Sequence, residues 1–116
     1  MTADARALLD ELRVRAAARA ASASQALDEL VHDRQGSNDD DEHDPEGVPL
    51  SSEWSRLSAL QDDAAARLRQ VDDALVRLDA GAYGVCTACG RPIPPARLEV
   101  RPFAEHCVAC AERLGR

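Results

Sequence analysis

The chain has 116 residues, a net charge of −7 and 45% apolar residues, but only 3% aromatics. That length is one domain or a small composite, and an alanine-rich apolar set builds long helices without filling a wide core, so a metal staple is useful. No run is long enough to cross a membrane and no apolar leader with a cleavage site opens the chain, so a reducing cytoplasm is the expected compartment.

Residues 1–34 read as a first helix. Thr2 offers an N-cap, with Asp4 in the first turn. Leu8, Leu9, Leu12, Ala16, Ala20, Ala23, Leu27, Leu30 and Val31 recur at helical spacing. The middle of this stripe is alanine, which favours helix and allows close approach but buries little area. Gly36 is a plausible stop, and His32 complements the helix dipole near that end.

Residues 35–49 read as a loop. They contain two glycines, two prolines, six acidic side chains and no basic one, a composition that cannot pack as a core. By composition alone this is a solvated acidic linker. His43 sits among the acids, which favours its protonated form. Asp39, Asp41 and His43 alternate, but the glycine and terminal bidentate glutamate of a calcium loop are missing.

Residues 50–80 read as a second helix. Leu50, Trp54, Leu57, Gln61, Ala64, Leu68, Val71, Leu75 and Leu78 alternate steps of four and three, a sustained heptad seam. Ser51 or Ser52 is the expected cap and Gly81 the expected stop. Two helices of similar length joined by a short link fold back on one another as an antiparallel coiled-coil hairpin, each about 45–50 Å long at 1.5 Å per residue. A parallel dimer through the second seam is the alternative, but it leaves the stripe of the first helix without a partner; a monomer is expected. Trp54 is expected to pack on Leu27, Leu30 or Val31.

Residues 81–116 read as a metal module. Cys86-x2-Cys89-x17-Cys107-x2-Cys110 uses every cysteine of the chain, and this is the spacing of a structural zinc site with four thiolates. Each C-x-x-C turn aims two sulfurs at one point, and one Zn2+ takes the four in a tetrahedron. Gly90 permits the turn after Cys89, Pro95 to Glu99 suits one helical turn, and Cys107 to Leu114 suits a short helix. His106 is expected beside the ligands or exposed. Arg91, Arg97, Arg101 and Arg113 either offset thiolate charge or face a partner. The module holds five arginines against three acids, and a four-thiolate zinc carries about −2, so it is close to neutral. A sequence-specific DNA-binding finger needs a basic face, and none is present. An enzyme is not expected: zinc filled by four sulfurs has no open position, and no nucleophile set or phosphate loop appears.

Tyr83-Gly84-Val85-Cys86-x-x-Cys89-Gly90, then Ile93-x-x-x-Arg97-Leu98-Glu99-x-x-Pro102, then Cys107-x-x-Cys110 resembles the zinc finger of the DksA/TraR family of bacterial regulators. The resemblance covers residues 83–110 closely, and the preceding hairpin is similar in layout. It implies a mainly α protein: an antiparallel two-helix hairpin with an acidic tip, braced by a C-terminal four-cysteine finger. It also implies transcription regulation through direct binding to RNA polymerase, with the tip inserted in the secondary channel and, in some members, ppGpp as co-effector.

The tip acids so implicated are Asp41, Glu42, Asp44 and Glu46. Asp41 and Asp44 match the two acids of the family's D-x-x-D-x-A pattern, and Glu46 stands where the pattern has alanine. A zinc-footed coiled-coil adaptor without polymerase activity is the alternative function. A Gre-type factor shares the acidic tip but lacks such a finger.

Overall fold

The computed structural model describes residues 2–36 and 50–115. Four helices follow in order: α1 (Thr2–Gly36), α2 (Leu50–Asp79), α3 (Pro95–Val100) and α4 (Val108–Arg113). No strand is formed among the described residues, and the one pairing outside helices is an antiparallel bridge between Val85 and Pro92. No described helix is long and apolar enough to cross a membrane. The predicted tip acids Asp41, Glu42, Asp44 and Glu46, with His43, lie outside the described residues.

The chain divides into two units, residues 1–15 with 67–116, and residues 16–66. In the first, the start of α1 runs antiparallel to the end of α2. Arg6 pairs with Asp79, and Arg13 Nε donates to Asp72 Oδ1 at 2.6 Å, so a seven-residue step forward on α1 matches seven residues backward on α2. That is one heptad of an antiparallel coiled coil. Beside these ion pairs lies a core of Ala5, Leu9, Val71, Ala74 and Leu78, with Leu12, Leu75 and Tyr83 packed against it. From the finger, Phe103 is a buried member of this core and Tyr83 packs against it. Arg67 and Arg101 place their guanidinium carbons 4.2 Å and 5.1 Å from the Phe103 ring centroid, a cation–π arrangement.

The second unit contains the rest of α1 and the start of α2. Among the described residues, its buried ones are Ala16, Ala23 and Leu27 on α1 and Leu57 and Ala64 on α2. The heptad spacing persists, but small side chains dominate the buried positions. Glu53 and Arg56 form an ion pair at 2.7 Å one turn apart on α2, which holds the Glu53 carboxyl below and the Arg56 guanidinium above its ordinary range.

Three local expectations are corrected. Trp54 does not close a core: it remains 46% exposed, and its expected partner Val31 is 39% exposed. The buried stripes pass through Leu27 and Leu57, and an indole, large and polar at one edge, is seldom fully buried. Ser51 and Ser52 lie inside α2, which already includes Leu50, instead of capping it; serine inside a helix costs only a few tenths of a kcal/mol, about 0.5 relative to alanine. Leu8, expected on the apolar stripe, is largely exposed, whereas Ala5 and Ala74 are buried.

Candidate metal centre

The finger begins where α2 stops. Gly81 adopts a left-handed backbone with φ of 78°, and the Ala82 N–H returns to the Arg77 carbonyl at 2.8 Å, as expected of a glycine just past a helix end. The Tyr83 hydroxyl donates to the Pro102 carbonyl at 2.8 Å; partial burial pushes its pKa up, with Arg77 nearby acting in the opposite sense.

The first pair of cysteines sits on a loop closed by backbone hydrogen bonds. Ile93 N–H donates to Gly84 O at 2.7 Å and Cys86 N–H to Arg91 O at 2.8 Å. The Gly90 N–H folds back onto Cys86 O at 2.9 Å. Gly90 has φ of 77°, a conformation that a side chain would strain. The second pair spans a helix start: Cys107 precedes α4, and the Ala111 N–H reaches Cys107 O at 2.9 Å, placing Cys110 one turn inside.

These two local structures bring all four sulfurs within 4.8 Å of one another. Cys86 and Cys110 are buried, Cys107 is half-buried and Cys89 is exposed. Cys89 Sγ and Cys107 Sγ are 3.9 Å apart. Sulfurs each about 2.3 Å from a tetrahedral zinc stand about 3.8 Å apart, whereas a disulfide needs about 2.05 Å. The donor set therefore fits one zinc ion. Ile93 and Leu98 pack against the cluster and make its walls apolar.

Electrostatics around the thiols are uneven. Burial acts to raise the Cys86 pKa, but the backbone N–H groups of Cys107, Cys89 and Ala88 outweigh it and bring the thiol down to about 6. The backbone at Cys110, followed by its side chain, lowers Cys107. Arg113 opposes the shift at Cys110, yet neighbouring sulfurs and burial push that thiol up to about 11. Arg113 Nη2 lies 3.5 Å from Cys110 Sγ, so it is the arginine that offsets thiolate charge, and that contact in turn raises its own pKa.

The remaining predicted residues separate by role. Arg97 Nε donates to the His106 carbonyl at 2.8 Å. Arg101 lies on the Phe103 ring. His106 is 7% exposed and buried beside Cys107, outside the four-sulfur cluster. Two residues that sequence reasoning passed over connect the finger to the helices, Phe103 and Arg77. A signal for the first existed: Phe103 is the only phenylalanine in an aromatic-poor chain. Arg77 carried none, since it is one of many helix arginines.

Residues 81–114 match the model of the prokaryotic DksA/TraR C4-type zinc finger. An uncharacterized protein of Aquifex aeolicus is 40% identical over 60 residues, 52% of this chain and 41% of that protein. The RNA polymerase-binding transcription factor DksA of Caulobacter vibrioides is 42% identical over 68 residues, 57% of this chain and 48% of that protein. The chain thus matches less than half the length of these relatives. Among solved structures, transcription factor DksA2 from Pseudomonas aeruginosa superposes with a TM-score of 0.78 at 29% identity, over 98% of this chain and 82% of that one.

Proposed function

We propose that the chain, whose residues 81–114 match the DksA/TraR C4-type zinc finger, is a member of that family and regulates transcription by binding RNA polymerase directly. The observation that carries this reading is the extent of the likeness to DksA2, which runs over nearly the whole chain and not the finger alone.

In this reading Cys86, Cys89, Cys107 and Cys110 hold one structural zinc. Zinc supplies no reactive position here, because four thiolates complete its tetrahedron; the protein acts by binding, not by turnover. Residues 50–66 and 16–36 carry the chain toward the acidic segment, and Asp41, Glu42, Asp44 and Glu46 act in the polymerase secondary channel. Carboxylates in such a confined, partly desolvated channel exert Coulomb effects on metal ions and basic groups far larger than in open water. The consequence is altered stability of promoter complexes. A monomer working in the cytoplasm, with ppGpp as a co-effector, completes the proposal.

The test places a photocrosslinking side chain at position 44 of the zinc-loaded protein and adds core RNA polymerase without DNA. Crosslinks to polymerase segments lining the secondary channel are the expected result. No crosslink from folded, zinc-loaded protein at high concentration would sink the reading in favour of a zinc-footed adaptor. The double variant Asp41→Asn, Asp44→Asn is expected to keep polymerase binding and lose the effect on initiation.

A further inference from the structure

The stretch leading into the second pair of cysteines, residues 103–106, has no helix of its own, yet every one of its four backbone carbonyls receives a hydrogen bond. Arg77 Nη2 on α2 donates to Phe103 O at 3.3 Å and to Ala104 O at 3.4 Å. Thr87, between the first two cysteines, donates to Glu105 O through its backbone N–H at 2.9 Å and its hydroxyl at 3.3 Å. Arg97 of α3 donates to His106 O at 2.8 Å. The next residue is Cys107. Three separate elements thus tie down one irregular strap that ends on a metal ligand.

The strap is also anchored by burial. Phe103, Ala104 and His106 are buried, and Phe103 sits in the core that joins α1 and α2. A buried backbone carbonyl without a partner is costly, so the donors are part of the structure and not decoration. Among them Arg77 is the one carried by the long helices. Its side chain is only 15% exposed, and a second nitrogen, Nη1, lies 3.9 Å from the Glu105 carboxylate. A guanidinium is a rigid fork that can hold adjacent acceptors in one geometry, which a lysine ammonium cannot reproduce.

We infer that Arg77 is a positioning residue for the zinc centre: it fixes the 103–106 strap and so presents Cys107 and Cys110 to the metal before zinc arrives. A knuckle already in place pays less ordering entropy on binding than one that must be gathered from a loose chain. By linkage, zinc bound at the cysteines stabilises the last turns of α2 by the same factor. The inference rests on zinc occupying the four-cysteine site and is independent of polymerase binding.

The test is a titration of Co2+ into the reduced, metal-free full chain, followed through the ligand-field bands of tetrahedral four-sulfur cobalt. Wild type, Arg77→Met, Arg77→Lys and the control Arg13→Met are compared, with circular dichroism as the check on helix content. Arg13 pairs with Asp72 on the same helix pair but bonds no part of the strap. Groups that support metal ligands from outside are worth on the order of 10–100-fold in affinity. Arg77→Met is therefore expected to weaken Co2+ binding by about that factor and to shift the bands, with Arg77→Lys in between and Arg13→Met within about twofold of wild type. Wild-type affinity and spectrum in Arg77→Met would overturn the inference, as would an equal loss in Arg13→Met, which would mean that helix pairing alone matters. If Arg77→Met loses its helices, Arg77→Lys decides: wild-type affinity there overturns the inference. Failure of the wild-type chain to bind Co2+ through four sulfurs would instead overturn the zinc assignment itself.

Discussion

The unit that bears the finger and the alanine-rich unit are built from the same two helices with the same heptad spacing, but they bury different things. In the first, Leu9 and Val71 are wholly inaccessible, Leu78 and Phe103 nearly so, and four sulfurs converge at one point. In the second, three of the five buried apolar residues among those described are alanines. Burial stabilises by about 25 cal/mol per Å2 of apolar area, so a leucine contributes far more than an alanine. Equal pattern therefore does not mean equal stability. The finger-bearing unit has a core of larger side chains plus a metal staple, and the alanine-rich unit depends more on helix propensity.

The comparison breaks most completely if zinc is removed. Cys86→Ser, or chelation of the wild type, forfeits much of a binding free energy that reaches about 10–16 kcal/mol in isolated zinc-finger peptides. The expected result is loss of stoichiometric zinc and of amide-exchange protection in residues 83–113, with protection in residues 16–33 retained because no thiol lies in that unit. Equal loss in both units would show that they unfold as one.

Core substitutions sharpen the contrast at intermediate size. Leu9→Ala removes a fully buried side chain and is expected to cost about 2–5 kcal/mol. Ala23→Gly, in the alanine-rich unit, is expected to cost about 1 kcal/mol through helix propensity alone. Urea unfolding of the zinc-loaded chain measures both, and similar values would mean that the two seams are equally filled.

The smallest effect belongs to the exposed ion pairs. Arg13 and Asp72 keep 51% and 44% of their side-chain surface exposed, and such pairs contribute about 0.2–1 kcal/mol. Arg13→Ala is expected to lower stability by no more than about 1 kcal/mol, less still at high salt. A larger loss would mean that register, and not the core, depends on this pair.

The two long helices and the metal site were legible in the sequence because both are written in local spacing. Leu57, Ala64, Val71 and Leu78 repeat every seven residues, and all four are buried. Two C-x-x-C turns at metal-site spacing converge because each turn is short and its glycine or helix start is local. What the spacing did not contain was any pairing across distance. The seating of Phe103 between the helices, the reach of Arg77 to the carbonyls of residues 103 and 104, and the exposure of Trp54 depend on which surfaces meet. A side chain's partner tens of residues away is set by packing and the demand of buried carbonyls for donors, and neither is encoded in the periodicity of a single segment.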